Sequence, residues 1–245
     1  MRTLYLVYLD REHLGDQLYM QGVAQRFSES PSGEPPCILV HGSGEKVERT
    51  LEAEGFFPER SRGVLDVSDE SHLALVERAV REVNQEVVAL LTDEVVSTVG
   101  VQGDSRRLLQ RGEEGEVQTG AVGWVEALVK QRVLPVVSAL AQDASENAVR
   151  EIWTADALIA LADAFADAFE PTAVFFTTTD RPGLPAPGDD PSAIRETAAP
   201  DDVTDQDVSE PEAVHRVCGA GVPALLTTPQ SFFADDGPRG TVVSE

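Results

Sequence analysis

The stretch that decides the fold class is Cys37-Ile38-Leu39-Val40-His41-Gly42-Ser43-Gly44. A short apolar run, a glycine turn and a helix-compatible segment from Lys46 to Glu54 follow one another, and this order is typical of a parallel sheet covered by helices. The turn leaves backbone N–H groups free at a helix N-terminus, where they favour a negatively charged ligand. It lacks a third glycine and a Gly-Lys-Ser/Thr ending, which disfavours a dinucleotide fingerprint and a P-loop. A strand-to-helix turn without a ligand explains this one signal equally well.

The same alternation of apolar runs and amphipathic segments continues along the chain, and it predicts an α/β fold with a mainly parallel sheet. Two helices are clear, from Ser71 to Thr92 and from Ala155 to Phe169, because their apolar residues recur at helical spacing. The predicted strands are Leu4–Leu9, Cys37–His41, Val95–Val101, Val133–Leu140, Ala173–Thr178, Pro223–Thr227 and Thr241–Ser244.

Two stretches interrupt this rhythm. The polar segment from Gln102 to Gly120 predicts a surface hairpin or loop, and the segment from Asp180 to Pro211, rich in Pro, Asp and Glu, predicts a mobile or insertion-like region. The chain contains no internal repeat.

The composition excludes several classes of protein. The 245 residues are 42% hydrophobic and 25% charged, which is typical of a globular chain. The 43 acidic residues exceed the 19 basic ones and give a net charge of −24, which excludes a nucleic-acid binder and indicates a salt-adapted surface. No apolar run has the length a membrane span needs, so a cytoplasmic protein is expected. Cys37 and Cys218 are expected as buried hydrophobes, and the scattered histidines predict no metal site.

A series of short motifs occurs in one order along nearly the whole chain. They are Val40–Gly44, Val67–Glu70, Val83-Asn84, Val99–Asp104, Gly120–Gly123, Leu134–Val137, Ala155–Ala157, Thr179–Gly183 and Gly240–Val242. This order resembles the acetylglutamate kinases of the amino-acid kinase family. The resemblance implies a three-layer α/β/α sandwich in a single domain, 1–245. Within it, 1–150 would form the lobe that binds an acyl-amino acid and dimerises, and 151–245 the nucleotide-binding lobe of a homodimer.

The resemblance also implies an activity. Such a protein transfers the γ-phosphoryl group of ATP, bound with Mg²⁺, to the side-chain carboxylate of N-acetylglutamate or N-succinylglutamate in arginine biosynthesis. On this reading Asp156 organises the catalytic groups, and the metal arrives with the nucleotide. The implied acceptor-binding turn is Gly42, Ser43 and Gly44, and the implied nucleotide-binding residues are Thr177, Thr179, Asp180 and Gly183.

The chain departs from the family pattern at the charged positions. Tyr8-Leu9-Asp10-Arg11 stands where the family has Lys-x-Gly-Gly, and no lysine follows Lys130 to act as the second catalytic lysine. Asp66 stands where a substrate-binding arginine is expected. Ile152 and Thr154 replace the two asparagines that precede the family's aspartate.

Two functions therefore stay open. Arg11 as a catalytic group, or Arg62 as a substrate-binding group, could replace the missing cations in an active kinase, since arginine stabilises phosphoryl charge. Alternatively, the protein is catalytically inactive and keeps the fold for a ligand-binding or regulatory role, because each lost charge-stabilising group costs about two to three orders of magnitude in rate.

Overall fold

The computed structural model describes residues 1–30, 35–61, 63–145, 148–187, 190 and 193–245. Its strands are β1 (Thr3–Leu9), β2 (Cys37–His41), β3 (Arg60–Ser61), β4 (Val64–Leu65), β5 (Thr98–Gln102), β6 (Leu109–Arg111), β7 (Val117–Thr119), β8 (Leu134–Ser138), β9 (Leu140–Asp143), β10 (Ala148–Glu151), β11 (Glu170–Phe176), β12 (Thr197–Ala198), β13 (Ala224–Thr227) and β14 (Thr241–Val243). Its helices are α1 (Arg11–Gly15), α2 (Gln17–Glu29), α3 (Lys46–Ala53), α4 (Glu70–Asp93), α5 (Gly123–Lys130), α6 (Thr154–Phe165), α7 (Pro211–Cys218) and α8 (Pro229–Phe232).

Eight strands form the central sheet in the order β12-β14-β13-β11-β1-β2-β8-β5. The six strands from β13 to β5 are parallel, and β14 pairs antiparallel with β13 next to the edge strand β12. The carboxyl ends of those six strands therefore lie along the same side of the sheet, and in open α/β sheets ligands bind beyond the carboxyl ends of the strands.

Helices cover both faces of this sheet. On one face α2, α4 and α8 bury residues such as Val83 and Phe232 against the strands. On the other face α5, α6 and α7 bury residues such as Leu161 and Val214. The fold is the three-layer α/β/α sandwich that the sequence predicted.

The strand predictions are confirmed with one correction. All seven predicted strands lie in the central sheet, but the predicted strand Val133–Leu140 is wrong as a single element. The chain leaves the central sheet after Ser138, and β9 joins a second sheet of order β10-β9-β6-β7. The segment from Gln102 to Gly120 contains the predicted hairpin, formed by β6 and β7. The described part of Asp180–Pro211 contributes β12 to the sheet edge.

Both cysteines are buried, as the sequence predicted. No helix in the described part of the chain combines the length and the apolar character needed to cross a membrane.

A buried hydrogen-bond network holds β2, β5 and β8 to α4. The Asn84 amide donates to Val136 O at 2.8 Å and to Nε2 of His41 at 3.0 Å, and it accepts from Gln102 Nε2 at 3.3 Å. Burial lowers the pKa of His41 to about 4, so its imidazole is neutral and its Nδ1–H donates to Gly42 O at 2.9 Å. Asn84 therefore has a core hydrogen-bonding role.

We predict that Asn84→Ala lowers the free energy of unfolding by about 2–4 kcal/mol, because it leaves buried polar partners on three strands unsatisfied. Denaturant unfolding at constant molar KCl measures this loss. Gln85→Ala, on the exposed face of the same helix, is the matched control and should change the value by less than about 0.5 kcal/mol. Equal losses for both variants would contradict the assigned role.

Candidate functional site

The glycine turn after β2 combines two local requirements. Gly44 has φ of 64°, a left-handed conformation that favours glycine. Gly42 permits a close approach, because a Cβ there would lie 2.9 Å from Oε1 of Glu151 and 3.1 Å from Oγ1 of Thr154. Ser43 has no positive φ, so a serine is accommodated without strain where the family has glycine. The turn thus lies against the end of β10 and the first residue of α6.

The N–H of this turn already binds an anion from within the chain. Ser43 N donates to Oε1 of Glu151 at 2.7 Å. Burial raises the pKa of Glu151 to about 7, against the opposing effects of the Arg60 guanidinium and the Ser43 N–H. The second carboxylate oxygen of Glu151 and the Ser43 hydroxyl are buried without a hydrogen-bond partner. The sequence analysis missed Glu151, whose only signal is its place beside the Ile152–Asp156 motif.

The end of β1 carries a phenol where the resemblance expects a cation. The Tyr8 hydroxyl donates to Oε2 of Glu210 at 2.6 Å, and the backbone N–H of Arg11 lies 3.4 Å from Oε1 of the same carboxylate. Burial and the nearby Glu210 raise the pKa of Tyr8 well above its usual value, so it remains a neutral donor. Its ring stacks on Phe175 of β11 with centroids 5.0 Å apart. Glu210 immediately precedes α7, and nothing in the sequence had singled it out.

Two arginines lie near the glycine turn, and both contact one acidic residue. Nη1 of Arg11 lies 3.4 Å from the Glu48 carboxylate, and Nε of Arg60 lies 3.1 Å from it. Arg60 also donates to Gly44 O at 3.5 Å. The sequence analysis had named Arg62, which lies outside the described residues, and had missed Arg60.

Ser43 and Gly44 line a cavity of about 940 Å³ together with Lys46. Beside the turn, and adjoining it only through Glu151, is another cavity, of about 460 Å³. Asp66, Ile152 and Asp156 line it together with Glu151. Three positions that the resemblance relates to substrate binding and catalysis therefore share one cavity. Asp156 lies in the first turn of α6, where its Oδ1 accepts from Nε of Arg216 at 2.8 Å.

Two of the predicted nucleotide-binding residues have structural partners within the chain. The Thr177 hydroxyl, just after β11, lies 2.9 Å from the carbonyl oxygens of both Thr179 and Arg181. Gly183 has φ of 137°, and a Cβ there would overlap Oγ1 of Thr241. These two residues fix the shape of the loop and its contact with β14.

The other two predicted nucleotide-binding residues are accessible to solvent. Thr179 and Asp180 are exposed, and Thr179 lines a cavity of about 380 Å³ whose wall includes Arg181 and Arg195. Arg195 pairs with Asp202 at 3.1 Å. No residue lines both this cavity and the one beside the glycine turn.

The structure therefore divides the predicted site residues into two groups. Gly42–Gly44 and Arg11 lie at the glycine turn and its neighbour Glu48, and Asp156 lines the cavity that Glu151 joins to the turn. Thr179 lines the cavity of about 380 Å³, and Thr177 and Gly183 shape the loop that leads to it. Among the described residues, no group of three or more His, Cys, Asp or Glu side chains is placed to hold a metal ion.

Comparison with known proteins gives a partial sequence match. No model of a known protein family matches the sequence. The acetylglutamate kinase of Acaryochloris marina is 35% identical over 115 residues, which cover 43% of this chain and 40% of that enzyme. The match spans about two fifths of the length of the curated relatives.

Solved structures show the same fold over the whole chain. N-acetylglutamate synthase from Neisseria gonorrhoeae, complexed with coenzyme A and N-acetyl-glutamate, superposes with a TM-score of 0.65 at 16% identity, covering 100% of this chain and 59% of that one. An isopentenyl phosphate kinase superposes with a TM-score of 0.63 at 14% identity, covering 98% of this chain and 100% of that one. The chain is thus similar in sequence to acetylglutamate kinases over 43% of its length, and over its whole length it has the fold of the amino-acid kinases.

Proposed function

We propose that this protein binds a small molecule in the cavity beside the glycine turn and does not transfer phosphoryl groups. The observation that carries the proposal is the hydrogen bond between Tyr8 and Glu210 at the end of β1. Transfer of a phosphoryl group from ATP to a carboxylate brings two anions together, so it depends on positive charge placed between them. Here a neutral phenol and a carboxylate occupy that place.

The remaining charges around the turn strengthen this conclusion. Glu151 contacts the turn, Glu210 lies at the end of β1, and the nearby cations Arg11 and Arg60 both contact Glu48. A phosphoryl group arriving here would meet carboxylates, and the arginines could contact it only by leaving their partner.

Both lysines of the chain pair with acidic side chains. Lys46 on α3, which lines the same cavity as Ser43 and Gly44, pairs with Glu82 and Glu86, and Lys130 on α5 pairs with Glu126. The residue that the resemblance assigns to organising catalytic lysines, Asp156, instead pairs with Arg216 of α7. Lys46 could therefore stabilise a transferred phosphoryl group only by leaving Glu82 and Glu86.

A ligand site nevertheless remains. The cavity beside the turn, about 460 Å³, lies within the size range of small-molecule sites. Its wall combines apolar residues such as Val76 and Trp153 with the polar groups of Asp66 and Arg111. This combination suits a small ligand with both apolar and polar parts, and a ligand-binding or regulatory role follows.

A second candidate is an N-acetylglutamate or N-succinylglutamate kinase, and the convergence of Arg11 and Arg60 beside Gly44 favours it. In that case the arginines would stabilise the transferring γ-phosphoryl group, and ATP with Mg²⁺ would be a substrate bound near Thr179 and Arg181. The residues around that cavity fit a nucleotide, since two arginines face it. A homodimer and a role in arginine biosynthesis belong to this candidate.

We predict no acyl-phosphate formation. Purified protein in molar KCl with Mg-ATP and either N-acetylglutamate or N-succinylglutamate should give no hydroxamate when hydroxylamine is added. An acetylglutamate kinase that has both lysines serves as the positive control, and circular dichroism verifies folding at the assay salt. Hydroxamate formed with either acceptor would overturn the proposal and establish the second candidate.

If hydroxamate does form, the second candidate makes its own prediction. Arg60→Ala and Arg11→Ala should each lower kcat by about 10²–10³, the usual cost of removing one charge-stabilising group. Arg26→Ala is the matched control, because Arg26 pairs with Glu29 on the exposed surface of α2. Unchanged kcat in both site variants would exclude arginine as the replacement for the missing lysines.

We predict that Tyr8 stabilises the fold. Tyr8→Phe leaves the Glu210 carboxylate without its shortest hydrogen bond, so the free energy of unfolding should fall by about 1–3 kcal/mol. Tyr5→Phe on the same strand is the control and should cost less than about 0.5 kcal/mol. A Tyr8→Phe protein as stable as the wild type would show that the Tyr8–Glu210 contact makes no net contribution to folding.

A further inference from the structure

We propose that Glu151 determines the specificity of the glycine turn: its carboxylate occupies the place of a ligand anion at the Ser43 N–H, so an external anion binds there only when Glu151 is neutral or displaced. This inference rests on the proposed ligand site beside the turn and deepens it. The ligand chemistry in question is a carboxylate, phosphate or sulfate group.

The geometry of the contact supports direct competition. Ser43 N lies 2.7 Å from Oε1 of Glu151. The same oxygen lies 2.9 Å from the position a Cβ would take on Gly42, so the carboxylate is packed directly against the turn. An external anion would need this N–H and would meet a like charge in contact with it.

Unsatisfied atoms indicate that the turn has further hydrogen-bonding capacity. The Ser43 side chain is 1% exposed and its hydroxyl has no partner. The second carboxylate oxygen of Glu151 is also buried without a partner. The Ser43 hydroxyl nevertheless favours the ionised form of Glu151. Both atoms therefore belong to the contact between the turn and Glu151 that an external anion would have to replace.

The charged groups that face Glu151 act in opposite directions. Arg60 of β3 favours the ionised carboxylate, whereas Glu48 of α3 disfavours it. Burial is the largest effect, and it raises the pKa of Glu151 to about 7. Below that pH the carboxyl group is neutral and no longer repels an anion, and above it the carboxylate holds the turn. Anion affinity should therefore fall as the pH rises through 7.

Sulfate tests this inference, because its charge is constant across the pH range used. In the full-length wild type, the sulfate association constant measured by calorimetry should fall about thirtyfold between about pH 6 and about pH 8.5, at constant salt. In Glu151→Ala the turn is vacant, so the constant should vary by less than about twofold over the same range. At the higher pH the association constant of Glu151→Ala for sulfate should exceed that of the wild type by at least about tenfold.

Two further variants make the result specific. Glu151→Gln is neutral at every pH and nearly isosteric, so it should lose the pH dependence even if Glu151→Ala folds poorly. Glu52→Ala removes an exposed acidic side chain from α3, the helix that carries Glu48, and should keep the wild-type dependence of sulfate affinity on pH. A wild-type affinity that does not change with pH, variants that keep the wild-type slope, or no sulfate binding by Glu151→Ala at any pH would each overturn the proposal.

The measurement is independent of phosphoryl transfer. It uses no nucleotide, so hydroxamate formation would overturn the proposed lack of catalysis and leave this inference intact. Conversely, a pH-independent sulfate affinity would overturn this inference while the protein could still lack kinase activity.

Discussion

The geometry of the site depends on one buried hydrogen bond, from the neutral imidazole of His41 to the carbonyl of Gly42. Burial keeps this ring uncharged, and Asn84 fixes its orientation by donating to the other nitrogen. The first residue of the glycine turn is thereby held to the sheet and to α4. Because the turn has a fixed direction, its next N–H, that of Ser43, points at one acceptor, and Glu151 supplies it.

Most of the fold was predictable because it follows from local patterns. Apolar runs predicted seven of the eight strands of the central sheet, all except β12. Helical spacing predicted α4 to within one residue at each end. The break between β8 and β9 was not predictable, since Val133–Leu140 is apolar except for Ser138. The strand ends where Ala139 pairs both with His41 of β2 and with Ile152. Apolar continuity does not reveal which sheet a residue joins.

The candidate site was predictable only in part, for a related reason. Glycine turns and helix starts are local, so Gly42–Gly44 and Asp156 could be named from the sequence, and the structure places them around one cavity and its neighbouring turn. Glu151 contacts a residue 108 positions away and Glu210 contacts one 202 positions away. Neither contact leaves a pattern in one sequence, and both involve residue types that are abundant on this acidic chain.

The replacements at the site form a consistent electrostatic set. A phenol at position 8 can donate a hydrogen bond to Glu210 without adding charge, and Arg11 and Arg60 share Glu48. Glu48, Glu151 and Glu210 thus each accept at least one hydrogen bond from within the chain, as buried or half-buried carboxylates require. A kinase needs the opposite arrangement, in which donors stay free until two anionic substrates arrive. Donors that are already committed to internal acceptors stabilise the folded chain, and this commitment is the physical basis of the proposal that the protein transfers no phosphoryl group.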